Sequence, residues 1–483
     1  MSKRHVFAHR VLLWLALIAA ALGVLEPSAT QLAVAAACVG FAVVARDGSR
    51  LKRGSLTPMT FFALAFAMTS VANALGVQSL LERGNESPFN LYIAPDYVYF
   101  ACAVMLIGGT AIIAGFYTAQ RWRSWRMLGR SLPRIRSHLS DRDLIFGGTA
   151  VAVLGMLVSS VIGANQLGTL SALIALLPDL TIFTLGRLGA TRRSRRVVMV
   201  ALLLTLIVAV HAALFAYLRS EILLPLFALL IGLIVGSRSL IVLRRRILIP
   251  VYLILALFAV NFATLGRIRS RAGGGESRVE AFQSASATSA SDSASGGGGI
   301  VVRLSTINQL SQLGLLADHD GFLHGATLEY LGFAFVPRFL WAAKPKIAKG
   351  AWFAYSIGQA IRRPNGTYGN SINMTVPGEL YLNFGWGGVI VGSYLFGALL
   401  ALLWSTARFW ADANNPLGTA FGFYLLWIGV GLVADLQIVV TLFAMYSLFL
   451  GGSLVLSSMR RRHRKIRVMV AEPNVLSSYR LRT

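Results

Sequence analysis

Apolar runs long enough to cross a lipid bilayer recur along almost all of this sequence, and no other feature restricts its fold so tightly. Residues 11–25, 60–80, 97–117, 197–217 and 247–265 are clear instances. A helix rising 1.5 Å per residue needs ~20 residues to cross ~30 Å of hydrocarbon. Within that hydrocarbon every backbone N–H and C=O must be paired inside the chain, which leaves helices or closed barrels. Continuous apolar runs rather than alternating ones select helices. The expected spans are about twelve: 11–25, 29–45, 59–80, 96–117, 143–163, 167–186, 197–217, 220–236, 247–265, 378–405, 417–433 and 436–457.

The formal net charge of +26 would point a soluble chain towards nucleic acid. The distribution says otherwise. About 32 of the 45 Lys and Arg lie in the N-terminus, the loops 46–58, 118–142, 187–196, 237–246 and 406–416, and the tail from 459. These are alternate loops, the pattern that cytoplasmic loops of membrane proteins show. The expectation is therefore a multi-pass protein of the bacterial inner membrane with both termini cytoplasmic, and no nucleic-acid partner. Lys3, Arg4 and Arg10 before an apolar stretch resemble a signal peptide, but the chain re-enters an apolar run at 32–44, so an uncleaved first helix is expected. Cys38 and Cys102 fall inside apolar runs and offer no disulfide framework or zinc cluster. The chain divides into an N-terminal bundle of about nine helices at 1–266, a large extracytoplasmic loop at 267–377, C-terminal spans at 378–458 and a basic tail at 459–483.

The large loop opens with a Gly-, Ser- and Ala-rich stretch at 272–299, expected to be a disordered tether. After it, residues 300–316 show helical spacing of apolar positions and are expected to lie on the membrane surface. Residues 322–341 are apolar enough to touch or dip into the membrane, and Phe339, Trp341, Trp352, Phe353 and Tyr355 fit an interfacial aromatic belt.

Positive charge outside the cytoplasm needs a reason beyond topology. Arg219 sits on a very short outer turn next to Glu221. The loop adds Arg267, Arg269, Arg271, Arg303, Arg338, Lys344, Lys346, Lys349, Arg362 and Arg363. These cations either meet phospholipid headgroups or bind an anionic, phosphate-bearing substrate, for which the planar arginine fork is suited. Glu379 opens an apolar span. It is either an acid favoured by the helix dipole or a carboxylate at the outer mouth of a cavity, able to act as a base or to bind sugar hydroxyls. Asp318, His319, Asp320 and His324 cluster in ADHDGFLH; the spacing matches no strong metal site, a histidine proton acceptor is the better functional reading, and a surface turn is the expectation. No Walker motif, dinucleotide fingerprint or HExxH is present, which argues against ATP hydrolysis and zinc proteolysis.

Three stretches, in order, carry a resemblance. They are Ala216-Tyr217-Leu218-Arg219-Ser220 with Pro225; Val336-Pro337-Arg338-Phe339-Leu340-Trp341 with Lys344-Pro345-Lys346; and Thr375-Val376-Pro377-Gly378-Glu379-Leu380-Tyr381 with Asn383-Phe384-Gly385-Trp386-Gly387-Gly388. Together with the topology, the chain resembles the Wzy-type O-antigen and oligosaccharide repeat-unit polymerases. The insertion at 272–299 departs from that pattern and leaves the alignment of Arg267 and Arg269 open. The resemblance implies an all-α, GT-C-like membrane glycosyltransferase that needs no metal or other cofactor. Its substrate would be a polyprenyl-pyrophosphate-linked oligosaccharide, and its partners membrane lipids, a flippase and a chain-length regulator. It implies catalytic roles for Arg219, Arg338 and Glu379, and substrate contacts from Arg267, Arg269, Arg303, Lys344, Lys346 and Tyr381. An O-antigen-ligase-like transferase and a flippase of lipid-linked glycans are the competing readings. The flippase reading calls for charged or broken helices at mid-membrane, and the spans look nearly free of charge at their centres.

Overall fold

The computed structural model describes residues 3–48, 56–83, 95–122, 140–161, 174–212, 219–237, 305–333, 341, 343, 349–361, 371–412, 416–430, 439 and 441–452. Every regular element among them is helical. In chain order these are α1 (Lys3–Leu25), α2 (Ala29–Gly48), α3 (Pro58–Arg83), α4 (Pro95–Arg121), α5 (Asp141–Val161), α6 (Leu177–Arg192), α7 (Arg195–His211) and α8 (Arg219–Ser237), followed by α9 (Ile307–Asp320), α10 (Lys349–Ser356), α11 (Val376–Gly387), α12 (Ser393–Asp412), α13 (Pro416–Val430) and α14 (Thr441–Gly452). Segments Phe7–Leu25, Ala29–Asp47, Pro58–Val77, Pro95–Arg121 and Val376–Arg408 are long and apolar enough to cross a membrane. The chain is an α-helical membrane protein. The expected span 247–265 and the tether 272–299 lie outside the described residues.

Prolines set many of the helix starts. Pro58, Pro95 and Pro416 open α3, α4 and α13, and α6 and α11 carry one in their first turn. There the missing N–H costs nothing, because the first amides have no helical partner. Ser28 receives the Gln31 amide on its hydroxyl and so caps α2. Asp47, at the end of α2, is 1% exposed and accepts bonds from Thr57, Thr60 and Tyr117 at 3.3, 2.9 and 2.7 Å. One carboxylate thus joins the ends of α2, α3 and α4. The α4–α12 crossing depends on small residues: a Cβ on Gly115 would lie 2.0 Å from the Tyr394 carbonyl, and one on Gly397 2.0 Å from that of Ile112. In the neighbouring group, Phe183 of α6 stacks on Phe423 of α13 at 4.6 Å, and Arg187 donates to Thr419 at 2.6 Å.

Four expectations are corrected. Residues 187–196 are mostly helix rather than loop, because α6 begins only at Leu177 and runs to Arg192; Arg193 at φ 57° then turns the chain straight into α7. Helix α9 does not turn its apolar stripe to lipid: Ile307, Leu310 and Leu313 are fully buried against α3, α4 and α11. Phe353 is fully buried and belongs to the core, not to an interfacial belt, although Trp341 and Tyr355 are exposed.

The fourth concerns 378–405, expected as one continuous span. It is broken at Gly385, whose φ of 62° and ψ of −153° are open to glycine alone. Landmarks on α4 trace the path. Pro377 abuts Gly108, the middle residue of α4. Tyr381 and Trp386 both meet Phe100, near the Pro95 end, with ring centroids 4.6 and 5.8 Å away. Val389 is back beside Gly108, and α12 continues towards the Arg121 end. So α11 climbs from the middle of α4, turns at Gly385, and the chain descends through the π-turn Gly388–Gly392. This is a helical hairpin with one short limb and one long limb.

Candidate functional site

The short limb of the hairpin carries the buried charge. Thr375 caps α11 by accepting the Gly378 amide on its hydroxyl at 3.1 Å, in a left-handed backbone at φ 63°. Glu379 follows in the first helical turn, where the helix dipole favours an acid. The turn at Gly385 leaves carbonyls at the end of α11 without helical donors. Leu323 and His324 supply them, donating their amides to Leu382 and Asn383 at 3.0 and 3.1 Å. These bonds dock the loop after α9 onto the hairpin and bring the 3-10 turn Ala326–Leu328 above Glu379.

Glu379 is 0% exposed. Its Oε1 accepts from the Thr327 hydroxyl at 2.9 Å and from Lys349 Nζ in a short ion pair. Lys349 is 8% exposed, and its ammonium also sits 3.8 Å from the centre of the Tyr330 ring. Asn383, one turn beyond Glu379, donates to Thr327 Oγ1 and to the Glu379 carbonyl, both at 2.7 Å, and accepts the Gly325 amide at 3.0 Å. Lys349 opens α10, a position where the dipole disfavours a cation; the carboxylate opposite offsets that. Removing two charges from water costs several kcal/mol each, and a close pair with extra hydrogen bonds is the arrangement that offsets it.

Backbone strain gathers here too. The non-glycine residues with positive φ among those described are Arg193, His324 and Thr375. Two of these three border this cluster. Strain of that kind costs about 1–3 kcal/mol per residue and persists where the surroundings enforce it, functional sites above all.

Chemically, the cluster holds a carboxylate, an ammonium, a hydroxyl and a carboxamide within one hydrogen-bonded network. The carboxylate can accept a proton or orient a hydroxyl. The ammonium can meet an anion once released from Glu379. Among the described residues no group of three or more His, Cys, Asp or Glu could hold a metal ion.

Of the residues expected to form a site, Glu379 and Tyr381 lie on the same limb. Tyr381 sits among Phe100, Phe322 and Trp386. In this conformation Glu379 is sealed beneath Lys349 and Thr327 rather than open at a mouth. Arg219 begins α8. Arg267, Arg269, Arg303, Arg338, Lys344 and Lys346 lie outside the described residues. Thr327 and Tyr330 are not among the expected site residues, and Lys349 is expected only as one of the many outer cations, not as the partner of Glu379. Lys349 reads in sequence like its neighbours Lys344 and Lys346, and only the burial of α10 distinguishes it. His319 and Asp320 are exposed, with Nδ1 and Oδ1 2.6 Å apart, and lie in the last helical turn of α9 rather than in a surface turn.

No family model, curated protein or solved structure matches this chain.

Proposed function

We propose that the chain polymerises polyprenyl-pyrophosphate-linked oligosaccharide repeat units. It would work at the outer face of the bacterial inner membrane, as a GT-C-like enzyme of about twelve spans with both termini cytoplasmic. The growing glycan leaves its lipid pyrophosphate and is joined to a hydroxyl of the next repeat unit. The observation that carries this reading is the Glu379–Lys349 pair, buried on a strained hairpin limb inside the Pro377-Gly378-Glu379-Leu380-Tyr381 stretch that bears the family resemblance. Such chemistry needs a hydroxyl-orienting carboxylate and cations for the departing pyrophosphate. Glu379 suits the first role. Arg219 and Arg338, with Arg267, Arg269, Arg303, Lys344 and Lys346 in support, suit the second.

A second reading gains from the same geometry. An ion pair on a broken helix beside the middle of α4 is what a transporter of lipid-linked glycans would use. It offsets the sequence argument that the spans are free of central charge. The glycans of a deletion strain separate the two: loss of long chains with single repeat units retained supports a polymerase, and loss of both supports a flippase. An O-antigen-ligase-like transferase would instead leave long chains intact on their lipid carrier.

The residue-level test measures polymer length for Arg219→Ala, Arg219→Lys and Glu379→Gln, with protein amount checked by immunoblot. Loss of a charge-assisted contact made in the transition state costs about 2–4 kcal/mol, roughly a hundredfold or more in rate. Normal accumulation with full-length polymer in both Arg219→Ala and Glu379→Gln would defeat the assignment.

A further inference from the structure

The ADHDGFLH segment, the end of α9 and the loop after it, and the bend of the hairpin together form a surface that the polymerase reading does not use. Phe322, Phe384 and Trp386 are 42%, 48% and 39% exposed, three large rings at the Pro95 end of α4. They are held in place. Phe322 lies over Gly385, where an added Cβ would be 3.2 Å from its ring, and meets Tyr381 edge-on at 5.6 Å. Trp386 meets Tyr381 at 5.4 Å and Phe100 at 5.8 Å, and Phe384 lies over Gly325. Beside the rings stand Asp318, His319, Asp320 and His324, all exposed. Asp318 takes a hydrogen bond from the Tyr97 hydroxyl at 2.9 Å, which fixes its position.

We infer that this rim is a binding platform for an uncharged saccharide, stacked on Phe322, Phe384 and Trp386 with its hydroxyls donating to Asp318 and Asp320. A pyranose ring presents a face of C–H bonds and a girdle of hydroxyls. The C–H face packs on aromatic rings, whose faces carry negative charge density. The hydroxyls need acceptors, and ionised carboxylates have several lone pairs to offer. Aromatic residues also gather at lipid headgroups. Headgroup phosphate, however, calls for Lys and Arg, whereas this rim carries carboxylates in a chain whose net charge is +26. Those carboxylates repel phosphate and acidic sugars alike. The inference rests on the polymerase reading only for the source of the sugar, which would be a repeat unit resting above Glu379.

The test uses the full chain in nanodiscs of zwitterionic lipid. Saturation-transfer NMR would be recorded with the methyl glycosides of glucose, galactose, mannose and N-acetylglucosamine, and with glucuronate. Transfer to the C–H protons of one sugar face is expected for at least one neutral glycoside. Affinity should fall about tenfold, a loss of 1.4 kcal/mol, in Phe322→Ala and in Trp386→Ala, and hold in Trp122→Ala, at the far end of α4. In case an aromatic variant misfolds, Asp318→Asn with Asp320→Asn provides a second arm: exposed, nearly isosteric changes that should narrow the preference for neutral sugar over glucuronate. No transfer from any glycoside, equal transfer in all variants, or quenching of Trp386 emission by brominated lipid would each overturn the platform. Cellular polymer length is read in parallel. Binding by the purified chain while a deletion strain keeps its long glycans removes the polymerase reading and leaves the platform. Loss of polymer in Glu379→Gln without sugar binding does the reverse.

Discussion

A buried ion pair can hold a fold together, serve chemistry, or do both, and at the level of single residues Lys349 and Glu379 allow these roles to be separated. Removing one partner leaves the other charge buried and uncompensated, which costs about 3–5 kcal/mol. Replacing both with apolar side chains of similar length removes that penalty and can come close to neutral. Lys349→Met and Glu379→Gln should each lower the thermal midpoint of the purified protein, and Lys349→Met with Glu379→Leu should recover most of the loss. Polymer synthesis should fail in all three. A double variant as unstable as the singles would mean that Thr327 and Asn383, which share the network, need the charges to keep their own geometry. A double variant that is stable and still active would leave the pair a structural role only.

At the level of elements, the hairpin depends on its bend. Gly385→Ala must force a side chain into φ 62°, ψ −153°, and its Cβ would press on Phe322 at 3.2 Å. The backbone term alone is about 1–3 kcal/mol. The variant should lose stability by at least that much, and in limited proteolysis the loop after α9 should become the first site cut, since Leu323 and His324 would lose their acceptors. An unchanged midpoint and cleavage pattern would argue against the bend. A milder test lies at the start of α5. There the Ser194 hydroxyl, and after it Arg192 at 3.0 Å, hold the Asp141 carboxyl below its ordinary value of 3.8. A lowered carboxylate pKa stabilises the fold above the unfolded-state value and ceases to do so as pH falls through the folded value. Asp141→Asn should therefore cost little at pH 7, about 0.5 kcal/mol or less for a pair this exposed, and nothing once the pH has fallen below the folded-state value. A larger effect in acid than at neutrality would reverse the assigned sign. These elements also mark where sequence reading stops. Helices α1 to α4 were legible because continuous apolar runs near 20 residues admit one solution in a bilayer. The bend was not, because the residues on either side of Gly385 are equally apolar and glycine is common within spans. The pairing of Glu379 with Lys349 was not legible either: both charges were visible, but they stand 30 positions apart and their contact depends on how the chain between them folds back.

For the molecule as a whole, the charge pattern and the hairpin make a joint statement about sidedness that neither makes alone. The bias of Lys and Arg leads to the expectation that Ser137 is cytoplasmic and Ser289 outside, by composition of the loops. The structure links that assignment to described residues. Asp318 is tied to Tyr97 at the Pro95 end of α4, and Trp122 follows the opposite end, 27 residues on and about 40 Å away. If α4 crosses the membrane, the end of α9 and Trp122 must face different compartments. The measurement is labelling of single cysteines by a membrane-impermeant maleimide, in a background where Cys38 and Cys102 are replaced by alanine. Ser289→Cys and Asp320→Cys should label in intact spheroplasts. Ser137→Cys and Trp122→Cys should label only after the membrane is opened. Reversal of both pairs would keep the bundle and invert the orientation, moving the Glu379 site towards the cytoplasm and ending the case for chemistry at the outer face. Labelling of Asp320→Cys and Trp122→Cys from the same side would go further: α4 would not span, and the depth assigned to the short limb of the hairpin, measured against Gly108 and Phe100, would lose its meaning.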